Sequence, residues 1–255
     1  MIIANKYKLI EEINSGEFGI IIKAENIRTK EKVAIKMEPI LSDAKMLKRE
    51  AMIYQYLGKA PGIPQVKWYG STIDYNYMVL PLFRESLSLK TLSIADASLV
   101  GQKIISVLKY IHVKGLIHRD VKPDNFVISQ DENDIYIIDF GLCRKYIDDN
   151  NVHIEMKTGK TIVGTPNFIS VNVHNGIEPS RRDDMISVAY IVLYLTNGGL
   201  PWKSARENNT IKMQKMCICD WSKTPVKLIT YLNYCAKLKF DEIPDYEFLS
   251  NCLQN

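Results

Sequence analysis

The apolar pattern changes period once along this 255-residue chain, and that change restricts the folds open to it. Up to about residue 80, apolar positions alternate as on half-buried strands: Tyr7–Ile13, Ile20–Glu25, Lys32–Met37, Val66–Tyr69 and Tyr77–Leu80. One helical stretch, about Asp43–Leu57, interrupts them. Beyond residue 84 helical spacing dominates. Ser93-Ile94-Ala95-Asp96 has the form of a capping box for a helix to about Lys114, ended by Gly115. Thr224-Pro225 predicts a cap and first-turn proline for a helix to about Leu238. The pattern therefore predicts an α+β fold of two lobes in a single domain, 1–255. A small N-terminal β-sheet lobe with one main helix covers about 1–80, a hinge about 80–84, and a larger, mostly helical C-terminal lobe about 85–255. A cleft between two such lobes is where a ligand is expected.

Composition narrows the function classes. Apolar residues make up 46% of the chain, enough for a sizeable core. Lysine and arginine number 33 against 29 acidic residues, and a net charge of +4 on this length argues against a dedicated nucleic-acid binder. The longest apolar run, Met185–Leu195, is too short to span a bilayer and reads as a buried helix, so no membrane partner is expected. The cysteines are five and form no Cys-x-x-Cys pair, which fits reduced thiols in an intracellular protein. Polar residues follow Met1–Ala4 at once, so no leader peptide is expected.

The densest chemistry lies in His118-Arg119-Asp120-Val121-Lys122-Pro123-Asp124-Asn125, followed after a short apolar strand by Asp139-Phe140-Gly141. Phosphoryl transfer from a magnesium nucleotide needs this set: a base for the accepting hydroxyl, a cation for the migrating phosphate, and oxygen ligands for the metal. The first lobe supplies compatible parts. Asn14-Ser15-Gly16-Glu17-Phe18-Gly19 lies between two strands, and its glycines would let backbone N–H groups approach phosphate oxygens. Asn14 tolerates left-handed dihedrals better than most residues and so could keep the turn. On the strand Val33-Ala34-Ile35-Lys36, the small Ala34 and the cationic Lys36 share a face. In the next helix Leu47, Glu50, Tyr54 and Leu57 share a face, and a carboxylate on an apolar face needs a cation. Lys36 is the natural partner.

These residues resemble the eukaryotic protein kinases. Glu50–Leu57, Gly62–Gly70, Ser180-Arg-Arg-Asp-Asp184, Leu200-Pro-Trp202 and Tyr231–Cys235 together resemble the casein kinase I family, over about Tyr7 to Leu249. The most specific mark is Ser170-Val-Asn172 after Gly164-Thr165, where most protein kinases carry Ala-Pro-Glu.

The resemblance implies a role for each residue. Asp120 would orient and deprotonate the substrate hydroxyl, Lys122 would neutralise the γ-phosphate as in serine/threonine kinases, and Thr165 would bond to both. Asn125 and Asp139 would hold Mg²⁺. Lys36, paired with Glu50, would reach the phosphates beneath Ser15, Gly16 and Gly19. Ile13, Ile21, Ala34 and Val127 would sandwich adenine, with Leu80 at the gatekeeper position. The carbonyl of Pro81 and the N–H of Phe83 would bond the base; proline lacks only an N–H that this pattern does not use. Asp184 would tie its helix to the catalytic loop, and His118 would pack and bond to backbone. The expected cofactors are ATP and Mg²⁺, and the expected partners are acidic proteins acted on by a monomer.

The same resemblance implies basic pockets for acidic or phosphorylated substrates. One would comprise Arg119, Arg144 and Lys160. The other lacks its arginine, replaced by Asn167, and retains Lys215 with Lys212 nearby. Losing a bidentate clamp predicts weaker dependence on a priming phosphate. Two other classes remain open at this point: a nucleotide-binding pseudokinase acting as a protein-binding module, supported by Asn14 and Pro81, and a kinase-fold enzyme for small molecules.

Overall fold

The computed structural model describes residues 1–16, 19–41, 45–218 and 224–254. Its chain forms two compact units. The first comprises Met1–Glu85 and Val127–Gly141, the second Ser86–Phe126 and Leu142–Asn255.

The first unit is built on six antiparallel strands: β1 (Ile2–Ile3), β2 (Tyr7–Gly16), β3 (Gly19–Asn26), β4 (Lys32–Pro39), β5 (Trp68–Ser71) and β6 (Tyr75–Pro81). Their order in the sheet is β1-β2-β3-β4-β6-β5. Alternation along β4 decides which face does what. Val33, Ile35 and Met37 enter a core with Tyr7, Ala24, Tyr77 and Val79. Ala34 and Lys36 therefore face the other way, opposite Leu80 and Met78 of β6.

Helix α1 (Met46–Leu57) buries Leu47, Glu50, Tyr54 and Leu57, the face expected from the sequence. Residues 42–44, where that helix was expected to begin, lie outside the described residues. Lys45 offers no side-chain cap. Glu38 at the end of β4 replaces it, accepting from the amides of Met46 at 2.7 Å and Leu47 at 3.2 Å. A carboxylate at a helix N-terminus also suits the helix dipole.

The first unit's main segment ends at Glu85, beside the break expected near residues 80–84, but Val127–Gly141, expected in the C-terminal lobe, return to it. Beyond Phe126, strand β8 (Phe126–Ile128) and its partner β9 (Ile135–Ile137) join the first unit. Backbone hydrogen bonds explain it: Arg84 N to Ile128 O, Ile128 N to Glu85 O, and Ile137 N to Gly62 O, at 2.9 to 3.0 Å. Hydrophobic period carries no information about such long-range ladders.

In the second unit α2 (Ile94–Val113) packs on α4 (Arg181–Asn197), and α4 on α6 (Val226–Lys237). The short strands β7 (Leu116–Ile117) and β10 (Arg144–Lys145) pair, and α3 (Val171–His174), α5 (Asn208–Met216) and α7 (Tyr246–Cys252) complete the unit. Ser93 caps α2, its Oγ accepting from Asp96 N at 3.1 Å. The Thr224 cap does not form: its hydroxyl donates instead to Ile218 O at 3.0 Å, and Pro225 itself precedes α6. Helix α4 is buried nearly throughout, and its charged first turn is spent on backbone. Arg182 donates to Leu238 O at 2.6 Å, Arg181 donates to Asp241 O, and Asp183 closes a capping box with Ser180. No helix among the described residues is long and apolar enough to cross a membrane.

Candidate active site

The first unit holds a partly buried ion pair. Lys36 Nζ lies 2.7 Å from Glu50 Oε2 and 3.0 Å from Asp139 Oδ1. Burial opposes the Lys36 charge, but the two carboxylates override it and raise the lysine pKa. Burial pushes Glu50 up, against the pull of Lys36. An ammonium shared by two carboxylates stays protonated, which makes it a fixed positive point.

Asp139 adopts a left-handed backbone, φ +65°. Its amide donates to the Tyr54 hydroxyl at 3.2 Å, and the Tyr54 ring meets Phe140 edge-on at 4.8 Å. Helix α1 thus fixes the Asp139-Phe140 turn twice, through Glu50 by way of Lys36 and through Tyr54. The sequence marked Tyr54 only as a member of the buried face.

The expected nucleotide residues all fall in the first unit. Strands β2 and β3 run on to a Gly16–Gly19 pair, with Asn14 opposite Ile21 and Ser15 opposite Ile20. Gly19 has φ +119°, and a Cβ there would stand 2.0 Å from Met37 O, so only glycine fits. Glu17 and Phe18 lie outside the described residues. Asn14 departs from expectation. It is absent from the left-handed residues, and its Oδ1 accepts from Ser15 N at 2.9 Å. The strand pairing runs through it, so no turn is needed there. Ile13 is 50% exposed, whereas Leu80 and Val127 are buried. Among the described residues Phe83 N–H finds no protein acceptor. A cavity of about 640 Å³ beside Pro81 and Phe83 is lined otherwise by residues such as Lys32, Ile63, Gln130 and Tyr136, none of them an expected nucleotide contact.

The second unit holds the other cluster. Asp120 Oδ1 accepts from the Thr165 amide at 3.0 Å and its hydroxyl at 2.7 Å. Lys122 Nζ lies 2.8 Å from Asp120 Oδ2 and donates to Thr165 Oγ1 at 2.9 Å. Asn125 Nδ2 donates to Asp120 O at 2.8 Å and to Asp120 Oδ2 at 3.1 Å. That fixes the amide's orientation and turns Asn125 Oδ1 away from Asp120, a donor oxygen of the kind a hard cation takes.

Asp184 at the start of α4 holds this loop. Its Oδ2 accepts from His118 N at 2.8 Å and His112 Nε2 at 3.0 Å, and its Oδ1 from Arg119 N at 3.0 Å. Burial alone would raise the Asp184 pKa. The His112 hydrogen bond and the nearby His112 and His118 hold it below the usual carboxylate range. Arg119 sits at φ +70° within this grip. His118 is fully buried, its Nδ1 accepting from Asp120 N at 3.3 Å. His112 is a participant that helix spacing alone reads as core.

Two expected anion contacts come out differently. Arg144, Arg119 and Lys160 do converge, but on the buried carboxylate of Glu178, at 2.6, 3.8 and 4.0 Å respectively. An internal anion thus occupies the centre of the cluster, and no sequence spacing announces it. Lys215, expected at the surface as a phosphate contact, is only 2% exposed and turned inward.

The protein kinase domain family model matches residues 7–254, and the chain belongs to that family. The domain is therefore that of a phosphotransferase with protein substrates, which uses ATP and typically Mg²⁺. Its α+β architecture, a curled N-terminal sheet and a larger helical region, is the kinase fold.

Proposed function

We propose that this protein is an active serine/threonine kinase of the casein kinase I group, transferring the γ-phosphate of ATP to serine and threonine hydroxyls in acidic protein contexts. The observation that carries the reading is the closed ring of Asp120, Lys122 and Thr165. It presents a carboxylate for the acceptor's proton and an ammonium for the transferred phosphate's charge, both held by a threonine hydroxyl. Mg²⁺ would supply charge neutralisation on the phosphates, with Asn125 and Asp139 as its protein ligands; this cation takes few protein oxygens. Lys36, kept charged by Glu50 and Asp139, would bind nucleotide phosphates, and the Phe83 N–H would serve adenine.

Two further observations support the group. Asn172, in the Ala-Pro-Glu position of other kinases, donates to Asp183 of α4 at 3.2 Å, so the Ser170-Val-Asn172 variant has a partner of its own. The Arg119–Arg144–Lys160 cluster retains three cations against the single charge of Glu178, which leaves an excess for acidic substrates.

The test is phosphate incorporation into casein from Mg-ATP by the wild type beside Asp120→Asn, with product sites mapped by mass spectrometry. Transfer by the wild type alone, onto serine or threonine near acidic residues, is expected. Nucleotide binding without transfer by either would instead favour a pseudokinase.

A further inference from the structure

Helix α5 carries a buried lysine that this chemistry leaves unused. Lys215 Nζ donates to Pro166 O and Ile169 O, both at 2.6 Å, and lies 3.1 Å from His174 Nε2. The rings of Tyr190 and Trp202 flank it, with centroids at 5.1 and 5.3 Å. Among the described residues no carboxylate pairs with it.

The two carbonyls belong to a longer run. Trp202 Nε1 donates to Asn167 O at 2.9 Å, and Ser187 Oγ donates to Phe168 O at 2.7 Å. Four consecutive carbonyls, 166 to 169, thus each accept from a buried side chain. This irregular segment has little ladder of its own; the Phe168 and Ile169 amides turn back to Thr165 O. Its shape is set from behind, by donors on α4, on α5 and after α4. Among the described residues Lys215 alone donates to both ends of it. Thr165, the residue before it, carries the bonds to Asp120 and Lys122.

We propose that Lys215 is a positioning residue for the acceptor side of the site: it pins the Pro166–Ile169 segment, and through it Thr165, so that a protein substrate is held in register with Asp120. The inference rests on the kinase reading above. The pin does not depend on one charge state. Burial draws the lysine down to about 6. The ammonium has a proton for each of its three acceptors. The neutral amine keeps one N–H for each carbonyl and can accept from neutral His174 in its Nε2–H tautomer.

The experiment uses Lys215→Met, which matches the side chain's length, fits between the two rings and removes every donor. Casein KM, ATP KM, kcat, the thermal midpoint and amide hydrogen exchange are measured beside the wild type. Casein KM is expected to rise about tenfold with ATP KM within about twofold. The Phe168 and Ile169 amides should exchange about tenfold faster while α2 and α4 amides keep their protection. Unchanged casein KM and exchange would overturn the proposal. So would a uniform loss of protection in step with the thermal midpoint, because that is the mark of a core lysine with no positioning role. If the methionine variant does not fold, Lys215→Gln, which keeps one donor group, is expected to give a smaller shift of the same local pattern, and its absence overturns the idea equally. The exchange contrast also separates the two readings. A wild type inactive on casein refutes the proposed function, while the local exchange still decides the pin.

Discussion

Asp184→Asn changes one atom at the hub of the second unit, and its effect can be worked out from three distances. The carboxylate accepts from His118 N, His112 Nε2 and Arg119 N at 2.8, 3.0 and 3.0 Å. An asparagine keeps one acceptor oxygen and places an NH₂ in the other position. The better orientation puts the oxygen at the Oδ2 site, where it serves both histidine donors. The Arg119 N–H then faces another N–H donor. Leaving a buried donor unsatisfied costs ~1–3 kcal/mol, and losing the charge on the remaining bonds costs roughly another 1 kcal/mol. A total near 3 kcal/mol corresponds to a drop in Tm of about 6–12 °C for a domain of this size. Arg119 also loses what holds it at φ +70°, a conformation with ~1–3 kcal/mol of strain. Its relaxation would displace Asp120, and the rate of transfer to casein should fall by at least about tenfold even well below Tm. Thermal denaturation and steady-state kinetics at 20 °C below the variant's midpoint check both parts. A variant with Tm within about 2 °C of the wild type and a normal rate would refute the idea that this carboxylate organises the loop.

Gly164→Ala should be nearly as damaging: its φ is +93° and a Cβ would stand 2.4 Å from Arg119 O, so the Thr165 side must move away from the Arg119-Asp120 segment. A loss of ~2–4 kcal/mol in urea unfolding is expected, and a loss under about 0.5 kcal/mol would contradict the contact. Thr165→Val keeps volume but removes the hydroxyl that donates to Asp120 and accepts from Lys122; kcat should fall about tenfold with ATP affinity unchanged, and an equal weakening of nucleotide binding would argue against the assignment. Stability should also depend on His174. Burial, and then the charge of Lys215, pushes its pKa down to about 4 from the ordinary 6.5. The unfolded chain therefore binds more protons between these values, so this stabilising contribution is complete above pH 6.5 and is lost as pH falls toward 4. His174→Gln should flatten the urea midpoint over that window; an unchanged slope would show that the histidine does not titrate this way. Finally, Glu178→Gln removes the anion at the centre of Arg119, Arg144 and Lys160 and should tighten binding of a phosphopeptide relative to its unphosphorylated twin. A lower preference would mean that Glu178 organises the cations rather than competing with a ligand.

Much of this was written in the order of residues. The face of α1 that carries Glu50, the strand face that carries Ala34 and Lys36, and the neighbourhood of Asp120, Lys122 and Asn125 all follow from periods of 3.6 and 2 or from positions a few residues apart. Local spacing encodes such relations directly, because backbone geometry converts it into direction. The capping of α2 by Ser93 was legible for the same reason. What spacing could not give was any contact between segments distant along the chain. Glu38 caps α1 from a neighbouring strand, Glu178 fills a cluster of cations drawn from three other places, and β8 and β9 join a sheet-bearing unit far upstream. Lys215 shows the limit most clearly. In sequence it is one lysine among several on a polar helix and reads as surface charge. Only the tertiary fold sets the Pro166 and Ile169 carbonyls before it and closes two aromatic rings around it. The sequence by itself determined the protein kinase family and the lobe composition. The tertiary structure decided which charges meet each other and which meet water, because burial and pairing are properties of space and not of position along the chain.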